Sequence, residues 1–145
     1  MEPFVAWEDR YVIGIPVIDE QHQELLRLTN ELYEACRQGD EVAGKLFKDT
    51  VRQTVDYVKE HFSGEEKILE RVNYPELGPH KQEHENFVKK VIDEVKNFEG
   101  GKTFVPNQFV RFLRDWILAH IAVSDKKYAE YILKLKKEGA LKIGV

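Results

Sequence analysis

The chain has 145 residues and a mass of 17.0 kDa; 42% of the residues are apolar, 33% are charged, and the formal net charge is −4. That is the size of one domain able to bury its own core, and charges of both signs interspersed along it leave no basic stripe, which argues against nucleic acid as a partner. There is no run of about eighteen apolar residues and no basic-then-apolar leader, so a cytoplasmic protein with no membrane partner is expected.

In chain order, residues 1–17 read as an N-terminal arm. Pro3, Gly14 and Pro16 punctuate it, while Phe4, Trp7, Val12, Ile13 and Ile15 offer apolar anchors. A first helix is predicted over 18–37, with a seam of Ile18, His22, Leu25, Thr29, Leu32 and Cys36 in steps of four and three. Cys36 is the single cysteine, read as a small core residue. A second helix over 40–72 ends before Asn73-Tyr74-Pro75. Its seam is Phe47, Val51, Thr54, Val58, His61, Glu65, Ile68 and Val72. Gly64 lies beside the seam, where its cost of about 1 kcal/mol in a helix suggests a close approach. A third helix over 79–98 carries His80, His84, Phe87, Val91, Val95 and Phe98 on one side, and Gly100-Gly101 stops it. A fourth over 106–138 opens with Pro106 and turns Phe109, Leu113, Trp116, His120, Ser124, Tyr128, Tyr131 and Leu135 inward.

Four amphipathic helices joined by short turns predict an all-α fold, an antiparallel up-down-up-down four-helix bundle, with residues 1–145 as a single domain. All five histidines fall on inward seams. His61 with Glu65, and His80 with His84, are each four residues apart, so each pair aims two ligand-type side chains at one point. From the turn between the third and fourth helices, His84 and His120 each lie roughly 21 Å away, and from the turn between the first and second His22 lies about 22 Å and His61 about 30 Å away, so with uneven helix lengths all four helices can meet in one cluster. Asp125 fits less well. Five residues after His120, it is turned from it by about 140° in a regular helix and reaches the same point only from the flank or through a π-bulge.

A lone inward histidine is commonly a hydrogen-bonded core residue. Five imidazoles and a glutamate together make a polar centre that is hard to satisfy without a metal. One zinc uses four ligands and two zinc ions remain conceivable, but seven nitrogen and oxygen donors better suit a pair of octahedral ions. Haem held by two histidines leaves three unexplained, and the Glu-x-x-His pairs of ferritin-like di-iron proteins are missing.

The residues His22, His61-Phe-Ser-Gly-Glu65, His80-Lys-Gln-Glu-His84 and His120-Ile-Ala-Val-Ser-Asp125 resemble the hemerythrin family in order and spacing across nearly the whole chain. Trp7, Gly14-Ile15 followed by Asp19-Glu-Gln-His22, and Asn73-Tyr74-Pro75 are similar to its single-domain bacterial members. The resemblance implies a cofactor of two non-haem iron ions joined by an oxo or hydroxo bridge, with dioxygen as the partner. Carried onto this sequence, it makes His80, His84 and His120 ligands of one iron and His22 and His61 ligands of the other, with Glu65 and Asp125 bridging. Two octahedral ions so ligated keep one open position, on the iron with two histidines. Leu25, Leu26, Phe62, Trp116 and Ile117 are candidates to line an oxygen pocket there, Ile117 standing one turn before His120. Reversible binding for storage, transport or delivery, to an unidentified oxygen-consuming protein, is the expected function rather than an enzyme. The alternatives are a di-iron enzyme reducing peroxide or nitric oxide, and an oxygen or iron sensor or iron-handling protein.

Overall fold

A computed structural model describes residues 4–37, 40–99 and 106–139. The side chains of Phe47 and Phe98 and the helix stops expected at Gly39 and Gly100-Gly101 lie outside the described residues. The elements are α1 (Pro16–Arg37), α2 (Asp40–Arg71), α3 (Leu77–Glu99), α4 (Pro106–Ala119), a six-residue π-helical segment (His120–Asp125) and α5 (Lys126–Lys137). The last three follow one another without a break, so the chain folds as a four-helix bundle whose fourth member changes its winding midway.

Neighbouring helices run antiparallel, as the order of their contacts requires. On α2 and α3, Glu65 meets His80 and Phe62 meets His84. Between α3 and the last helix, His84 meets His120 and Phe87 meets Trp116. On α1 and α2, His22 meets His61, while Leu32 and Val51 share a cavity wall further along.

Two helices start earlier than the sequence suggests. Pro16 opens α1, where its missing N–H would have no helical partner in any case. Leu77 opens α3 ahead of Pro79, and a proline in the first turn removes only an amide that the helix leaves unbonded. The end of α2 follows from Asn73, which takes φ 55 and lets the Tyr74 N–H bond the Leu69 carbonyl at 2.9 Å while the Asn73 N–H bonds Glu70 at 3.1 Å. This is a Schellman closure with asparagine in the left-handed position, and Pro75 prevents the helix from resuming. The Tyr131 hydroxyl donates to the carbonyls of Val72 and Asn73 at 3.0 and 3.2 Å and so ties the turn to α5.

Among its described residues the arm contains one 3-10 turn, Asp9–Tyr11. Its anchors divide: Ile13 and Ile15 are buried and Phe4 and Trp7 pack against the core, whereas Val12 is exposed. Polar ties hold it. Asn30 on α1 accepts from the Val5 N–H and donates to the Val5 carbonyl, both at 2.9 Å. The Asp19 carboxylate accepts from Ile13 and Gly14 at 2.9 and 3.2 Å, across the bend that Gly14 makes at φ 87.

Among the described residues, the core of the half of the bundle toward the α1–α2 link is mostly apolar. Its apolar cavity, walled by Leu32, Val51, Val58, Phe87, Val91 and Leu113 among others, holds about 10 Å³. That is the lower limit for one water, which would also need polar partners that such a wall does not offer. Gly64 departs from expectation. It lies on the exposed side of α2, and a Cβ added there would meet nothing within 4 Å. No close approach holds this glycine, so Gly64→Ala should raise stability by up to about 1 kcal/mol in chemical denaturation; a loss of stability would show that the backbone there needs glycine.

Candidate metal centre

Every helix of the bundle contributes to one buried cluster. His22 comes from α1, His61 and Glu65 from α2, His80 and His84 from α3, and His120 and Asp125 from the two ends of the π segment; all seven are buried. The four-residue spacings on α2 and α3 work as the helical period dictates. Asp125 arrives differently. The π winding adds a residue to the turn, so Asp125 points in with His120, and Ser124, expected inward, turns toward Glu83 at the surface.

Each of the five imidazoles presents its Nε2 to the centre. His80 Nε2 is 2.7 Å from Glu65 Oε1 and 3.3 Å from Asp125 Oδ1. His84 Nε2 lies 3.2 Å from Glu65 Oε1, and His120 Nε2 lies 3.1 Å from Asp125 Oδ1. The other carboxylate oxygens face the other way: Asp125 Oδ2 is 3.0 Å from His22 Nε2, and Glu65 Oε2 is 3.3 Å from His61 Nε2. The donors thus fall into two groups whose ligand atoms lie within 4.8 Å of one another. One is Glu65, His80, His84, His120 and Asp125; the other is His22, His61, Glu65 and Asp125. The two carboxylates belong to both, one oxygen to each side.

This geometry suits cations better than hydrogen bonds. Both ring nitrogens of His22 and both oxygens of Asp125 are buried without a properly aligned partner, even though His22 Nε2 and Asp125 Oδ2 are close. Lone pairs aimed at a shared point rather than at each other are what a metal cage requires.

Protons carry the compensating charge in the metal-free protein. Burial opposes charging of His22, but the carboxylates of Asp125 and Glu65 outweigh it and push its pKa up to about 9. Burial likewise opposes His80, and the same two carboxylates raise it to about 10. His61, which burial dominates, is lowered to about 4. Burial would raise Glu65, yet contacts from His22, His80 and His84 hold it well below the usual carboxylate range. Asp125 is lowered too, because His120 and His22 overcome its burial and the nearby Glu65 charge.

Sequence reasoning passed over the residues behind the histidines. The Nδ1 of His61 meets Gln21 Oε1 at 2.5 Å, that of His84 meets Glu66 Oε2 at 2.8 Å, and that of His120 meets Glu83 Oε2 at 2.9 Å. Tyr128, expected as an inward core residue, donates its hydroxyl to Glu65 Oε2 at 2.9 Å. Gln21, Glu66 and Glu83 each stand next in sequence to a cluster residue, which is the signal that could have found them. Of the proposed pocket residues, Leu25, Leu26, Phe62 and Ile117 are buried and Trp116 is half-buried. Phe62 stacks on His84 at 3.7 Å and Trp116 on His120 at 4.5 Å, so these two rings lie against the three-histidine group.

A buried cage of imidazoles and carboxylates at the centre of four helices defines a metal-binding helical bundle. The model of the hemerythrin HHE cation binding domain matches residues 13–132. The chain is 31% identical over 128 residues to a bacteriohemerythrin of Stenotrophomonas maltophilia, covering 88% of this chain and 81% of that one. It is likewise 31% identical over 128 residues to a bacteriohemerythrin of Clostridium acetobutylicum, covering 86% and 98%. The solved structure of a wild-type hemerythrin superposes with a TM-score of 0.81 at 27% identity, over 88% of this chain and 96% of the other. The chain belongs to the hemerythrin family. Among the described residues, no helix is long and apolar enough to cross a membrane.

Two measurements follow from the protons in the cage. With His22 at about 9 and His80 at about 10, divalent metal loading at pH 7 should release roughly two protons per chain, read by calorimetry in buffers of different ionisation enthalpy; proton-neutral uptake would contradict this charge assignment. Both values lie above the ordinary 6.5, so the stability they lend the metal-free protein is complete below pH 6.5 and fades as pH rises through about 9 and 10. The thermal midpoint of the metal-free form should therefore fall over that window, and a flat profile would contradict it.

Proposed function

We propose that this protein binds dioxygen reversibly at a pair of non-haem irons, as an oxygen store, carrier or supplier for an oxygen-consuming partner. The observation that carries the reading is the pair of overlapping ligand groups that share Glu65 and Asp125, one oxygen of each carboxylate to each side. On this reading His80, His84 and His120 hold one iron, His22 and His61 hold the other, and Glu65 and Asp125 bridge them together with an oxo or hydroxo oxygen. The misaligned lone pairs of His22 and Asp125 fit such a cage. Imidazole and carboxylate donors match iron's preferences and include no thiolate that would select softer ions.

The bound iron pair would supply two electrons in all, one from each metal, to reduce dioxygen and recover them on release. The protein's part is to orient the ligands and keep water out. The five imidazoles, the two shared carboxylates and a bridging oxygen would leave a pair of six-coordinate ions one open position, beside His22 and His61. Leu25, Leu26 and Ile117, all buried, are assigned to the apolar wall of that position. A dry wall favours reversibility, because water and stray protons help reduced oxygen to leave and strand the metals as ferric ions. Phe62 and Trp116 act less as wall than as clamps, holding the His84 and His120 rings by stacking. Tyr128 keeps its proton, since burial and the neighbouring Glu65 charge raise its pKa well above the usual phenol value, and so it serves as a fixed donor to Glu65.

Visible spectroscopy of the reduced, iron-loaded protein tests the function directly. A band that appears with oxygen and vanishes when oxygen is removed is expected; irreversible conversion to a ferric spectrum would overturn reversible binding. For the wall, Ile117→Ala should speed autoxidation several-fold by admitting water. An unchanged rate would refute the pocket assignment while leaving the metal ligands untouched.

A further inference from the structure

The two halves of the cage have unequal backing. Behind the three-histidine group stand two carboxylates: Glu66 receives the Nδ1 proton of His84 at 2.8 Å, and Glu83 lies 2.9 Å from Nδ1 of His120. Behind the two-histidine group stands a neutral amide, Gln21, 2.5 Å from Nδ1 of His61; among the described residues Nδ1 of His22 has no hydrogen-bond partner. The Tyr128 hydroxyl adds to the contrast. It bonds Glu65 Oε2, the oxygen turned toward His22 and His61, and leaves Oε1 on the other side free of it.

We propose that Glu66 and Glu83 are positioning residues that make the three-histidine side the tighter metal site and the first to fill, with Gln21 keeping the other side weaker. This rests on the two-metal reading above. A carboxylate accepting the far N–H of an imidazole fixes its tautomer, holds its plane and makes its Nε2 a stronger donor; a neutral amide fixes the tautomer with about half the strength. A phenol bonded to a carboxylate oxygen draws electron density away from the metal which that oxygen would face. All these contacts weight the cage in the same direction.

The winding of the last helix belongs to the same device. Ser124 donates to Glu83 at 2.7 Å, so the segment that turns Asp125 inward also anchors the carboxylate behind His120. That anchor matters because the Glu83 side chain is 48% exposed, against 24% for Glu66. Water weakens the pull of Glu83 more, and Glu66 is the stronger of the two.

The test is an anaerobic titration of the metal-free protein with cobalt(II), followed by calorimetry and visible absorption, which needs neither iron nor oxygen. The wild type should take up two cobalt ions in unequal steps. Glu66→Gln and Glu83→Gln keep an acceptor but remove its charge; they should weaken the first step by about tenfold or more, Glu66→Gln by more, with the second step changed little. Gln21→Glu should do the reverse, tightening the second step and narrowing the gap. Ser124→Ala, which leaves every acceptor in place, should weaken the first step by a smaller factor, and it serves if Glu83→Gln does not fold. Equal loss at both steps, an unchanged first step in the glutamate variants, or an unchanged gap in Gln21→Glu would each overturn the inference. Two cobalt ions bound equally by the wild type would overturn it alone, whereas uptake of a single ion would overturn the two-metal reading and this inference with it.

Discussion

Glu65 and Asp125 sit at the middle of the bundle, buried to 1% exposure, and the rest of the structure answers to their charge. An uncompensated carboxylate in such a place costs several kcal/mol even after relaxation. Here each carboxylate reaches imidazoles from both sides, and raised pKa values at His22 and His80 let those rings carry protons. Protons on these rings, or a metal cation in their place, would balance the same buried charge. It also sets strict demands on the helices. Five donors projected from four sides converge only if the helices stay in register, and the tight α2–α3 turn, with Asn73 in its left-handed position and Tyr131 bonded across it, fixes that register close to the site.

The π segment is the local answer to a conflict between helical period and chemistry. In a regular helix a residue five positions from His120 points well away from it, and Ser124 would come closer to sharing its face. An extra residue in the turn removes the conflict, at the cost of less favourable backbone bonding that tertiary contacts must offset. These contacts are present at both ends: His120 stacks on Trp116 and meets Glu83, Ser124 bonds the same Glu83, and Asp125 lies between His22 and His120. A distortion held from both ends is a positioning device, and it belongs to the site rather than to the fold.

Periodicity made most of this readable in the sequence. The four helices, and the inward face of His22, His61, Glu65, His80, His84 and His120, follow from steps of three and four, because a buried stripe has to repeat at the helical period. Asp125 was not readable that way, since a rule built on regular winding cannot report its own local failure; only the family resemblance pointed to it. Glu66, Glu83 and Gln21 were hidden for another reason. Half-buried or exposed polar side chains beside a ligand look the same in a sequence as any solvated helix face, and only coordinates reveal which of them turns back toward an imidazole. Gly64 misled in the opposite sense: a glycine near the cluster suggested a close approach, and the structure puts it on the open side of α2.

The cage also divides labour in a way that its ligand count alone does not disclose. Around His84 and His120, Phe62, Phe87 and Trp116 stack into one aromatic block, with ring centroids of 3.7 Å from Phe62 to His84, 3.8 Å from Phe87 to Trp116 and 4.5 Å from Trp116 to His120. Rings held face to face on one side and bonded to carboxylates on the other have little freedom to tilt. His22 and His61 meet edge to face at 5.0 Å, and of their Nδ1 atoms only that of His61 has a hydrogen-bond partner, Gln21, among the described residues. If the open coordination position lies on this second side, then ligand exchange takes place where the protein grips least, while the closed metal is kept by the part that grips most. On the proposed two-metal reading, a metal pair that changes its ligands without being lost needs both properties at once, and Glu65 and Asp125, shared between the two ligand groups, would let one half move while the other stays.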